Sequence, residues 1–196
     1  MRTAPSSPAA AAESTPSLAR AFRERPVSTF LSTGFGVGLF PWAPGTAGSA
    51  AALALACGEN RLLRFFFFQP SHGPSMAAAV GLLASGLAIG AIGVPLTTRT
   101  SRAIGVKDPG VIVLDEFAGQ LVASSAVPLF AYASMAREAF VWLVSFLASR
   151  LFDIWKPGPI RRLQALPGGV GIVIDDILAG ALAAGATGLA GVALGA

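Results

Sequence analysis

Residues 76–96, MAAAVGLLASGLAIGAIGVPL, run from Met76 to Leu96 without a single charge. A helix rises about 1.5 Å per residue and the hydrocarbon core of a bilayer is about 30 Å thick, so roughly 20 apolar residues make one crossing. Working outward, three more runs are long and apolar apart from charges near one end: Val170–Ala196 with Asp175 and Asp176, Val111–Ala133 with Asp115 and Glu116, and the shorter Ala139–Trp155 with Arg150 and Asp153. A fifth, from Gly45 through Leu53 and Leu55 to Cys57, is marginal and reads either as a crossing or as a half-buried, re-entrant helix. The whole chain agrees with these local readings. Its 196 residues are 54% hydrophobic and only 12% charged, where soluble domains carry about 25% charge. The expectation is a single all-α domain, a polytopic membrane helical bundle of four to five spans over residues 26–196. Met1–Arg25, rich in Ala, Pro, Ser and Thr, lacks the continuous apolar run of a secretion signal and reads as a disordered cytoplasmic tail.

The net charge of +4 does not point to nucleic acid, because the basic residues are scattered between apolar runs rather than massed on an aromatic-laced stripe. They track topology instead. With the tail inside and all five segments crossing, ten Lys and Arg fall on the cytoplasmic side (Arg2, Arg20, Arg23, Arg25, Arg99, Arg102, Lys107, Lys156, Arg161, Arg162). Only Arg61, Arg64 and Arg137 fall outside, and Arg150 stays within a span. Loops rich in Lys and Arg remain cytoplasmic. The same topology brings six of the ten acidic residues to one depth on that face: Asp108, Asp115, Glu116, Asp153, Asp175 and Asp176.

A carboxylate inside a membrane span costs about 2.5–3.5 kcal/mol on insertion scales and marks a functional site by default. Clustered carboxylates also repel one another, a penalty that a divalent cation removes. Oxygen ligands, with Cys57 the lone cysteine and His72 the lone histidine, suit Mg²⁺ or Mn²⁺ rather than zinc or copper. Asp115, Glu116, Asp175 and Asp176 read as helix-interior acids that no cap explains. Asp108, before Pro109, also suits an N-cap, and Asp153 also suits a simple pair with Arg150 or Lys156. Gly86 and Gly90, and Gly180, Ala184 and Gly188, recur at the four-residue spacing that lets helices approach closely in lipid; a general Ala/Gly bias gives the same pattern.

Two basic or glycine-rich segments suit an anion. Gly34-Phe35-Gly36-Val37-Gly38 leads into Pro44-Gly45-Thr46-Ala47-Gly48-Ser49, a glycine-rich helix start with backbone N–H groups and hydroxyls to offer; turns and an N-cap at Thr46 are the plainer reading. Lys156, Arg161 and Arg162 follow Asp153 and suit phosphate oxygens, although anchoring explains Arg162 equally well. One histidine excludes phosphatase chemistry built on two. Leu63, six residues after Cys57, excludes the cysteine-phosphatase loop, and no Asp-x-Asp pair is present. For a hydrolase this leaves metal-assisted attack by water.

Three blocks together resemble the phosphatidylglycerophosphatase A family. They are Gly34-Phe35-Gly36 through Pro44-Gly45-Thr46-Ala47-Gly48-Ser49; Asp108-Pro109-Gly110-Val111-Ile112-Val113-Leu114-Asp115-Glu116-Phe117-Ala118-Gly119; and Phe152-Asp153-Ile154-Trp155-Lys156-Pro157-Gly158-Pro159-Ile160-Arg161 with Gly168-Gly169-Val170-Gly171-Ile172-Val173-Ile174-Asp175-Asp176-Ile177. The likeness runs from Gly34 to Gly180 in order, with no departure at a polar position. It implies an all-helical, Mg²⁺-dependent phosphatase at the cytoplasmic side of the bacterial inner membrane, hydrolysing phosphatidylglycerophosphate to phosphatidylglycerol and phosphate. The matching residues are expected to divide as follows. Asp115, Glu116, Asp175 and Asp176 would hold Mg²⁺, with Asp108 and Asp153 as further ligands or a base for water. Lys156, Arg161 and the Gly45, Thr46, Gly48 and Ser49 loop would hold phosphate. The lipid substrate and the bilayer are the expected partners, with no nucleic acid and no protein partner implied. The rival reading is a cation- or proton-coupled transporter, which predicts acids near mid-membrane and related halves; no internal repeat is evident.

Overall fold

The computed structural model describes residues 18–158 and 160–195, and within them the chain is helical with no strand, save an isolated bridge between Tyr132 and Gly195. Two short helices, α1 (Leu18–Glu24) and α2 (Pro26–Ser32), are followed by a 3-10 turn at Val37–Leu39 and by α3 (Pro44–Phe66). Then come α4 (Met76–Ile104), α5 (Leu114–Ser124), a second 3-10 turn at Val127–Leu129, α6 (Met135–Trp155), α7 (Ile160–Leu163) and α8 (Gly169–Leu194). Local chemistry sets several of these limits. Pro44 opens α3 at a position where its missing N–H is not needed. Ser75 and Ser134 cap α4 and α6 by accepting from the N–H groups of Ala78 and Arg137. Gly105, left-handed at φ 86°, ends α4.

α3 and α8 run one way along the bundle and α4 and α6 run back, with the short α5 between α4 and α6 running the same way as α3. At one end the Ser75 N–H donates to the Pro128 carbonyl, Tyr132 N–H to that of His72, and Arg137 to that of Leu194. At the other end Arg150 reaches Ser49, Val113 N–H pairs with the Ser32 carbonyl, and Gly169 N–H bonds the Thr98 hydroxyl. α5 is the central helix, with nine of its eleven residues buried. Gly119 and Gly180 are what let α8 lie directly on it. A Cβ on Gly119 would stand 2.6 Å from the Asp176 carbonyl oxygen, and one on Gly180 would overlap the Gly119 carbonyl. This close crossing brings the acids of α5 and α8 together. The small-residue stripe of α8 is Gly180, Ala183, Thr187 and Gly191; Gly188 of the expected series meets nothing within 4 Å.

Four expectations change. Residues 1–17 of the tail lie outside the described residues, but its last part, Leu18–Glu24, is helix and packs Ala21 against Ala103 and Ile104. The expected span Val111–Ala133 contains only an eleven-residue helix, about 16 Å long. Its start is a turn, in which Ile112 N–H bonds the Pro109 carbonyl, and the Pro128 turn follows its end. Asp108 is therefore not an N-cap: α5 begins six residues later, and Val113 holds the cap position without a side-chain bond. Likewise α3 starts at Pro44 rather than being capped by Thr46, and continues past Cys57 to Phe66.

The outer faces of the long helices are apolar. Val80, Leu83, Leu87 and Ile92 on α4, Phe140, Leu143, Leu147 and Leu151 on α6, and Leu182, Leu189 and Val192 on α8 are all exposed. α4 and α8 are long and apolar enough to cross a membrane, yet only 33% and 28% of their most apolar stretches is buried. A core helix of a soluble protein would be mostly covered. These faces suit lipid.

Candidate active site: a carboxylate cavity at one end of the bundle

Asp115 and Glu116 stand in the first turn of α5, where the free N–H groups and the helix dipole favour negative charge. This is a stabilising role that reading them as helix-interior acids had missed. Asp175 and Asp176 sit two turns into α8, both buried, and Asp153 is near the end of α6. Asp176 joins two groups. Its carboxylate lies within 4.8 Å of ligand oxygens of Asp115 and Glu116, and also of those of Asp153 and Asp175. The acids thus gather at one end of the helices and not at mid-depth, against the transporter reading.

Two cations are set among them. Lys156, in the left-handed position that ends α6, donates to Asp175 and lies 3.1 Å from Asp153. Burial opposes its charge, but the bond to Asp175 and the charges of Asp153 and Asp176 outweigh that and raise its pKa above the ordinary lysine range. Arg150 lies 3.0 Å from Asp153 and 3.9 Å from Glu116, and donates to the Ser49 hydroxyl at 3.2 Å. Five carboxylates therefore face two cations. Oδ1 of Asp115, Oε2 of Glu116 and Oδ1 of Asp175 are buried without any hydrogen-bond donor. Buried carboxylate oxygens left unbonded are costly. A hard divalent cation is the group that such oxygens fit.

Of the metal set expected from sequence, Asp115, Glu116 and Asp176 converge in one group, and Asp175 and Asp176 meet Asp153 in a second, beside the Lys156 ammonium. The phosphate set divides too. Ser49 is buried against Arg150, Gly48 packs beneath Val113, and Thr46 is exposed. Gly45 lies so close to Glu116 that a Cβ there would overlap its Oε1. Gly45→Ala is accordingly expected to displace the Glu116 carboxylate, cutting turnover about tenfold or more while the thermal midpoint of the detergent-solubilised chain stays near wild type, because only the tip of a side chain must move. Parallel rate and melting measurements check this.

The acids line a cavity of about 280 Å³ together with Lys156, Gln164 and the exposed Asp108, whose carboxylate accepts from Gln164 at 3.3 Å. A second cavity of about 290 Å³ shares Asp108 and Gln164 and is bounded by Lys107 and Arg161. Arg161 thus stands on the rim, beyond the acids. Sequence reading placed Arg150 within a span as a candidate partner of Asp153, and that pair is present at 3.0 Å. Its signal was the three-residue spacing to Asp153, one helical turn. Gln120 was missed altogether; fully buried, it accepts from Ser149 at 2.5 Å and donates to Ser124 at 3.0 Å, tying α5 to α6 behind the acids. A larger cavity, about 800 Å³, lies at the opposite end; its one acid, Glu138, is bonded to His72, so the reactive groups are those of the smaller cavity.

Residues 30–190, which contain every site residue named above, match the family model described as phosphatidylglycerophosphatase A. A phosphatidylglycerophosphatase A of Escherichia coli K12 is 36% identical over 157 residues, covering 79% of this chain and 78% of its own. That of Haemophilus influenzae Rd is 36% identical over 150 residues, 76% of this chain and 79% of its own. A Bacteroides thetaiotaomicron protein, provisionally named a phosphatidylinositol-3-phosphatase, is 31% identical over 152 residues, 76% and 84% of the two chains. No solved structure matches.

Proposed function

The chain belongs to the phosphatidylglycerophosphatase A family, and on that premise we propose that its carboxylate cavity holds Mg²⁺ and is where the lipid phosphate is removed. The reaction is the family's: phosphatidylglycerophosphate is hydrolysed to phosphatidylglycerol and inorganic phosphate. The observation that carries the site assignment is Asp176, shared between two carboxylate groups beside oxygens that have no donor.

Asp115, Glu116 and Asp176 would hold the cation, and Asp175 accepts from Lys156. When bound, the ion supplies positive charge against the phosphoryl oxygens as they gain negative charge. The chain's own residues do the rest. Lys156 sits at the cavity wall as a fixed ammonium, and Arg161 and Lys107 on the rim suit the second, diester phosphate of the substrate. Water attacks phosphorus, the bond to the terminal glycerol oxygen breaks, and the proton lost by water is balanced by the one that the glycerol oxygen gains. Asp108 is the group best suited to take that proton. It is exposed at the mouth of the cavity and, among the described residues, no cation pairs with it, whereas Asp153 is engaged by both Arg150 and Lys156.

A multi-pass arrangement with the acids at the cytoplasmic face is part of the same proposal. α3, α4, α6 and α8 have 23, 29, 21 and 26 residues, or about 31 to 44 Å, enough to cross the hydrocarbon. Exposed Trp42 and Trp155 flank the acid end, and exposed Phe65 to Phe68 the other, as aromatic residues do at the two interfaces. Arg99, Arg102, Lys107, Lys156, Arg161 and Arg162 all belong to the acid end, which supports a cytoplasmic placing.

Phosphate release from phosphatidylglycerophosphate by the purified chain tests the proposal. Release is expected with Mg²⁺, to stop on chelation and to return when Mg²⁺ is added back. No release with Mg²⁺ present overturns the site and the reaction together; undiminished release after chelation overturns the cation alone.

A further inference from the structure

A cavity of about 800 Å³ opens between α3 and α6 at the end away from the acids. Its walls are largely apolar and aromatic, including Leu53, Phe65, Phe68, Trp142 and Leu143. This is the size and character of a site for a small amphiphile. Arg64 lines it as well. Only 4% of Arg64 is exposed, and its guanidinium is held rigidly. Nε donates to Asn60 Oδ1 at 3.0 Å, and Nη1 donates to the carbonyl oxygens of Pro70 and Gly73 at 2.7 and 2.5 Å. Nη2 is buried and has no acceptor.

None of these partners carries charge. Glu138, the acid of this cavity, accepts instead from His72 Nδ1 at 2.7 Å and from Trp142 Nε1 at 3.5 Å. Among the described residues, no carboxylate lies within ion-pair distance of Arg64. Glu138 acts on Arg64 only through its charge, without a direct pair, so the buried Nη2 donor is left without an acceptor and points to a missing anion. Arg61, exposed one helical turn before the belt Phe65–Phe68, lines the same cavity and adds a second positive charge. Basic pockets between membrane helices take anionic lipid headgroups, and the exposed phenylalanines open this one toward the interface.

We infer that this groove is a second lipid site, separate from the catalytic cavity, that holds one anionic phospholipid with its phosphate on Arg64 and Arg61 and an acyl chain along Phe65, Trp142 and Leu143. Nothing in the reaction at the acid end requires it. The groove anchors the non-catalytic end of α3 and α6 in an anionic bilayer.

Native mass spectrometry of the full chain, released from nanodiscs of dioleoylphosphatidylglycerol and dioleoylphosphatidylcholine in equal parts, tests this. One phosphatidylglycerol is expected to stay bound in preference to phosphatidylcholine. Retention is expected to weaken about tenfold in Arg64→Gln, the effect of one charge-assisted hydrogen bond, to weaken less in Arg61→Gln, and to persist in Asp176→Asn. Retention lost in Asp176→Asn but kept in Arg64→Gln places the lipid at the catalytic end and overturns the proposal. Equal retention of the two lipids overturns it as well. Should Arg64→Gln not fold, Trp142 reports instead. Brominated phosphatidylglycerol is expected to quench it more than brominated phosphatidylcholine at equal mole fraction, with the difference absent from Trp142→Phe. Equal quenching by the two lipids contradicts the inference.

Discussion

Asp176→Asn is expected to lower kcat/KM for phosphate release by about a thousandfold, corresponding to the ~4 kcal/mol that a correctly placed metal charge contributes to such a transition state. Asp176 is singled out because it alone belongs to both carboxylate groups, the one with Asp115 and Glu116 and the one with Asp153 and Asp175. Asparagine keeps its size, so the crossing of α8 on α5 at Gly119 and Gly180 has no reason to open. Removing one buried negative charge from a crowd of like charges also relieves repulsion. The thermal midpoint should therefore hold or rise while the rate collapses. Wild-type rates in the variant would remove Asp176 from the cation site.

Lys156→Met is expected to affect both properties. The ammonium lies between Asp153 and Asp175 and is only 18% exposed, and the Asp175 side chain is 3% exposed. Taking away one partner leaves the other charge buried and uncompensated, a loss of about 3 kcal/mol by the behaviour of other buried pairs. Turnover should fall about a hundredfold, through the lost positive charge at the cavity wall and the release of Asp153 and Asp175. Lys156→Arg should recover stability better than rate, because a planar fork cannot take the place of a compact ammonium between two carboxylates. A melting curve and a rate for each variant distinguish these outcomes. An Lys156→Met chain as stable and as active as wild type would contradict the pairing.

Much of this arrangement was legible in the sequence. α4 and α8 were, because a long apolar run, broken in α8 only by Asp175 and Asp176 near its start, has one common physical meaning. The convergence of the acids also followed, since alternating helices return Asp115, Asp153 and Asp175 to the same end. What was not legible was anything that depends on helix rotation or on how charge is compensated. The apolar content of Val111–Ala133 concealed the turn that Ile112 N–H closes on the Pro109 carbonyl and another at Pro128, so the central helix is half the expected length. The first apolar segment was expected to run only to Cys57, and Glu59, Asn60, Arg61 and Arg64 follow it. It continues because Ser85 donates to Glu59 at 2.7 Å and Asn60 accepts from Arg64. Depth along each helix is readable from sequence but direction around its axis is not, so the division of the acids into one group with Asp115 and another with Asp175 beside Lys156 was not legible. The same gap hid two of the partners of Arg150: besides Asp153 it reaches Ser49 of α3 and Glu116 of α5.

The central claim is that Asp115, Glu116 and Asp176 hold a divalent cation, and direct binding of Mn²⁺ to the purified chain, followed by electron paramagnetic resonance, tests it independently of turnover. The wild-type chain is predicted to bind Mn²⁺ saturably and to release it when Mg²⁺ is added, while Asp176→Asn and Asp115→Asn bind it far more weakly. Equal binding by wild type and both variants, or none by a wild-type chain that still releases phosphate, would contradict the account.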